Sequence, residues 1–82
     1  MTDLNRSLEA AILDLLSHRG PGKTICPSEA ARSVDPAHWE ELMEKARKAA
    51  VRLAEKGSIV ITQRGKVIDP ARIKGPIRLK IP

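Results

Sequence analysis

One tryptophan and no phenylalanine or tyrosine in 82 residues leave the interior of this chain to Ile, Leu, Val, Ala and Met. The same shortage argues against modules that stack bases on aromatic rings, such as sheet-surface RNA readers. The length allows one small domain and no second, so residues 1–82 are read as a single unit. With 41% hydrophobic and 30% charged residues, the composition is that of a folded protein and lies outside the disordered range.

Helical spacing accounts for the first half. Leu4, Leu8, Ala11, Ile12, Leu15 and Leu16 repeat at the three-and-four interval of one helical face, with Glu9 and Asp14 assigned to the polar side. Thr2 or Asp3 is the expected cap, and Arg19 followed by Gly20-Pro21-Gly22 is the expected stop. Thr24-Ile25 suits a very short strand. Pro27 suits the first position of a short second helix, with Cys26 as its cap residue and Glu29 in its first turn. Ala30 and Ala31 in that helix permit close approach by a neighbour. Asp35-Pro36 is the clearest start signal, and the third helix is expected to run from there to about Lys56 and stop at Gly57. Trp39, Leu42, Met43, Ala46, Ala50 and Leu53 form its apolar stripe, with Glu41–Lys45 and Glu44–Lys48 at contact spacing.

The second half reads as strand. Ile59-Val60-Ile61-Thr62-Gln63 is rich in β-branched residues, Arg64-Gly65 supplies a tight turn, and Lys66-Val67-Ile68 returns. Asp69-Pro70 opens a loop or single helical turn. After Gly75-Pro76, the segment Ile77-Arg78-Leu79-Lys80-Ile81 alternates apolar and basic side chains. Helix, short strand, short helix, long helix and a β-hairpin with a basic tip is the order of a winged helix-turn-helix. The expected fold is therefore α+β: three helices plus a small antiparallel sheet whose hairpin is the wing.

Several strings carry a resemblance. Gly22-Lys23-Thr24-Ile25-Cys26-Pro27-Ser28-Glu29, Trp39, Ile61-Thr62-Gln63, Asp69-Pro70 and Gly75-Pro76-Ile77-Arg78-Leu79 resemble a small bacterial family of domains of unknown function. The likeness spans nearly the whole chain. It implies a winged-helix-like fold, in agreement with the element order, and implies no established activity.

The net charge of +5 is unevenly placed. Residues 1–63 hold nine basic and nine acidic side chains, whereas residues 64–82 hold Arg64, Lys66, Arg72, Lys74, Arg78 and Lys80 against Asp69 alone. An excess gathered on one segment favours anionic partners; basic residues at outward strand positions also discourage edge-to-edge pairing. The first expectation is therefore double-stranded DNA, as for a transcription regulator. Lys45, Lys48 and Arg52 on helix three, Arg64 and Lys66 at the hairpin tip, and Arg78 and Lys80 on the last strand would contact it. On helix three these continue a stripe begun by His38 and Glu41, opposite Trp39. Glu40, Glu41 and Glu44 at the start of that helix repel phosphate, so sequence-specific base reading is the weaker part of this expectation.

The alternative is a protein-interaction module or homodimer of the same fold, with Val51 on the polar side of helix three as a contact. Catalysis is not expected. Cys26 at a helix start, with His18 or His38 as base, is the one nucleophile arrangement available, and an ordinary buried cysteine explains it as well. One Cys and two His are too few for a structural zinc site, and no cofactor is expected. Gly20-Pro21-Gly22-Lys23-Thr24 resembles the end of a phosphate loop but has Ser17 where that motif needs glycine, and a helix precedes it instead of a strand. No apolar run reaches membrane length, and the start of the chain is polar, so a cytoplasmic location without membrane attachment is expected.

Overall fold

A computed structural model describes residues 3–82. Helix α1 (Leu4–Arg19) is capped by Asp3, whose carboxylate accepts from the Asn5 N–H at 2.9 Å; the alternative cap, Thr2, lies outside the described residues. Leu8, Ile12 and Leu16, each four residues apart, are buried in the core, and Leu4, Ala11 and Leu15 flank them half-buried. Strand β1 (Thr24–Ile25) leads into α2 (Pro27–Val34), with Cys26 as cap residue and Pro27 in the first turn, as the sequence implied. The Glu29 carboxylate turns back to accept from the Cys26 N–H at 2.7 Å. Arg19 pairs with that carboxylate and donates to the Thr24 carbonyl at 2.9 Å, so the end of α1 is tied to the start of α2.

Helix three departs from expectation at its start. Asp35 does act as a cap, accepting from the N–H groups of Ala37 and His38 at 3.2 Å each, but what it caps is a turn. A 3-10 segment follows at Trp39–Leu42, and helix α3 occupies Met43–Glu55. The reason lies in the geometry of a 3-10 turn, where side chains three apart eclipse. Trp39 and Leu42 then both face the core while Glu40 and Glu41 remain exposed. The Arg32 guanidinium covers the Trp39 ring at 4.3 Å from its centroid, a cation–π contact between α2 and this turn.

The three helices pack pairwise against one another. Ala30 and Ala31 of α2 and Ala46, Ala49 and Ala50 of α3 are all fully buried, which is how a core without Phe or Tyr reaches close contact. Strands β2 (Val60–Gln63), β3 (Lys66–Ile68) and β4 (Arg78–Lys80) join β1 in one antiparallel sheet of order β1-β4-β2-β3. The last strand is thus interior, with Leu79 opposite Ile25 on one side and Ile61 on the other. Ile25, Ile61, Ile77 and Leu79 close the core against the helices, and β3 is left as an edge. The architecture is α+β, with three helices and a four-stranded antiparallel sheet.

Candidate nucleic-acid interface

The hairpin tip is built by two residues. Gln63 pairs with Lys66 across a two-residue loop in which Arg64 has φ +52° and Gly65 φ +80°, the pair of positive φ values that a type I′ turn requires. Glycine adopts this freely. An arginine does so at some cost, and among the described residues Arg64 is the only non-glycine with positive φ. Turns of this type favour Asn, Asp or Gly at Arg64's position, so local stability alone does not account for an arginine at the tip.

Beyond β3, Asp69 caps a 3-10 turn (Pro70–Arg72) by accepting from the Ala71 N–H at 2.9 Å. This turn lies against α3, where Pro70, Ala71 and Ile73 form a groove with Arg47, Lys48 and Val51. The following loop is pinned at three successive carbonyls. The Gln63 side-chain amide donates to the carbonyls of Lys74 and, at 3.0 Å, Pro76; the Arg47 guanidinium donates to that of Gly75 at 3.0 Å. A stretch rich in Gly and Pro is thereby fixed in place, and its strongest hydrogen-bond acceptors are consumed on the protein side.

The expected contact residues divide into two groups. On α3, Arg52 turns toward α1 and donates through Nε to Glu9 at 3.1 Å, and Lys56 approaches the same carboxylate at 3.6 Å. Glu9, assigned to the polar side by spacing, is instead an interhelical residue with its side chain 19% exposed. One terminal nitrogen of Arg52 is buried without a hydrogen-bond partner among the described residues. Lys48 is paired with Glu44 at 3.6 Å. Only Lys45 of this group is exposed and free of a carboxylate among the described residues. The stripe expected to lead from His38 and Glu41 into Lys45 does not form, because those two precede the α-helix; His38 instead lies 3.5 Å from Asp35.

The C-terminal group differs. Among the described residues, none of Arg64, Lys66, Arg72, Lys74, Arg78 and Lys80 pairs with a carboxylate. Arg64, Lys66, Arg72 and Lys74 are exposed. Lys80 is half-buried between Thr24 and Val60, its partners in the neighbouring strands. Arg78 is exposed yet anchored: Nε donates to Thr24 Oγ1 at 3.0 Å, one terminal nitrogen to Cys26 Sγ at 2.9 Å, and the other to the Thr24 carbonyl at 3.3 Å. These bonds clasp β4 to β1 and to the start of α2. Arg64, Lys74 and Arg78 meet around an open pocket of about 930 Å³ that also reaches Cys26 and Gln63.

Val51 does not serve as an outward contact; it is half-buried against the core and the Pro70–Ile73 segment. His18 and His38 are engaged with Asp14 and Asp35 in their own segments, while Cys26 is met by Arg78. Sequence reasoning missed Glu9, Arg47 and Gln63. No local pattern marks them, since their partners lie 43, 28 and 11 or 13 residues away.

Fold and surface together define an α+β structure in which the hairpin, the following loop and the last strand carry six basic side chains without a carboxylate partner among the described residues. Residues 5–82 match the family of proteins of unknown function DUF3253, and the chain belongs to that family. It matches no curated protein.

Proposed function

We propose that this protein is a winged helix-turn-helix that binds duplex DNA chiefly through the phosphate backbone, as a transcription regulator acting in the cytoplasm without a catalytic step. In this reading α2 and α3 are the helix-turn-helix pair and the β2–β3 hairpin, with Arg64 and Lys66 at its tip, is the wing. The observation that carries it is the absence of carboxylate partners, among the described residues, for the exposed Arg64, Lys66, Arg72 and Lys74. Cations that the protein does not neutralise remain available to neutralise phosphates and release counterions. An arginine held at positive φ on the tip agrees with this, because backbone strain collects where contacts with a partner are made.

The paired state of Lys48 and Arg52, with Glu40, Glu41 and Glu44 exposed beside them, favours backbone contact over base reading. The test is salt-dependent binding to random duplexes by the parent and by Arg64→Ala/Lys66→Ala. The double variant is expected to bind every sequence more weakly to a similar degree, with a salt slope flatter by about 0.9 for each phosphate that is no longer neutralised. Unchanged affinity and slope would remove the wing from the interface.

A further inference from the structure

We propose that the open pocket beside the turn of the hairpin is a binding site for a small organic phosphate, with the phosphoryl group among Arg64, Lys74 and Arg78 and an apolar body against Pro76. The pocket is large enough for such a ligand, at about 930 Å³. Its described lining holds three cations and no carboxylate, so it favours an anion, and a doubly charged one over a singly charged one. Between the cations its wall is largely apolar, contributed by Gly75, Pro76 and Ile77. Inorganic anions have no use for such a wall; a ligand with an apolar group does.

Two features make this a prepared site. Arg78 is held by three hydrogen bonds, to a hydroxyl, a sulfur and a carbonyl, which fix the guanidinium without a carboxylate partner among the described residues. A guanidinium carries five N–H donors, so two remain for a ligand, one on each terminal nitrogen. The loop that lines the pocket beside it is also fixed, because the carbonyls of Lys74, Gly75 and Pro76 are already engaged by Gln63 and Arg47. Little ordering is left for a ligand to impose.

The pocket does not require duplex binding, although Arg64 and Lys74 would serve both. A bound organic phosphate would therefore compete with the DNA backbone for these two side chains, coupling ligand level to affinity for DNA.

The test is an amide-shift titration of the full chain at constant ionic strength with phenyl phosphate, inorganic phosphate and phenol. Phenyl phosphate is expected to give saturable shifts confined to residues 26, 63–64 and 74–78, and to bind about tenfold more tightly than inorganic phosphate through its ring. Phenol at equal concentration is expected to give none. Lys74→Gln, which replaces a side chain that makes no hydrogen bond or ion pair among the described residues, should weaken phenyl phosphate about fivefold, and Lys66→Ala, outside the pocket, should leave it unchanged. Non-saturating shifts spread to Lys23 and Lys45, or indifference to Lys74→Gln, would overturn the proposal. Saturable binding in a protein that ignores duplex DNA would support the pocket and defeat the nucleic-acid reading.

Discussion

Helix α3 and the segment from Arg64 to Lys80 both carry several basic side chains, and the protein treats them differently. On α3 and at its end most of the expected contact charges are paired within the molecule, Arg52 and Lys56 with Glu9 and Lys48 with Glu44, and Lys45 alone of the expected group has no carboxylate partner among the described residues. From Arg64 onward no carboxylate answers them among the described residues, and the one tightly bound arginine, Arg78, is held by a hydroxyl, a thiol and a carbonyl. Cations of the first kind stabilise the fold and offer little to a partner, because binding a phosphate would first require breaking an existing pair. Cations of the second kind repel one another within the protein and gain when an anion arrives. Counting basic residues on a helix face therefore overstates α3 and understates the loop after the hairpin.

The largest effect expected from this contrast is on stability. Glu9→Ala would remove the carboxylate partner of Arg52 at the α1–α3 contact, where one buried nitrogen has no partner among the described residues, and should cost about 2–3 kcal/mol in urea unfolding. Duplex affinity should hold in conditions where the variant remains folded; a large loss there would mean that α3 contacts DNA after all. Next, Arg64→Ala/Lys66→Ala should weaken duplex binding roughly 30-fold near physiological salt if each residue neutralises one phosphate. Its stability should be unaltered or slightly improved.

Arg64→Asn separates the two properties most sharply. Asn-Gly is the preferred pair for a type I′ turn, so this variant should gain about 0.5 kcal/mol in denaturant melts while binding DNA less tightly. A variant both less stable and equally good at binding would show that Arg64 serves the hairpin and not a partner. Gln63→Ala should lose about 1 kcal/mol and speed amide exchange across residues 74–78 by freeing the pinned carbonyls. Smallest of all, Lys48→Ala should change stability by about 0.3 kcal/mol and duplex affinity by less than about twofold, since exposed pairs at this spacing contribute little.

Most of the element order was legible because its signals are local. Leu8, Ile12 and Leu16 declare α1 by spacing; Pro27 with Glu29 declares the start of α2; Arg64-Gly65 between two β-branched runs declares the hairpin. The start of α3 was misjudged for a reason that is itself physical. Asp35-Pro36 is a genuine cap and turn signal, yet burying Trp39 together with Leu42 selected a 3-10 turn, and the α-helix began only at Met43. The candidate site was legible only as a charge imbalance. Which cations are paired depends on Glu9, Glu44, Thr24 and Cys26, and a sequence states their presence without stating whom they meet.

The amino-acid order alone determined the α+β content, the aliphatic core and the positive charge of the last nineteen residues. Periodicity, capping and turn preferences act over a few residues, and net charge needs no coordinates. Only the tertiary structure decided that β4 lies inside the sheet, that Gln63 and Arg47 hold the loop at 74–76, and that Arg64, Lys74 and Arg78 share one pocket. Those relations join residues far apart along the chain through hydrogen bonds and packing, which exist only once the helices and strands have been brought together.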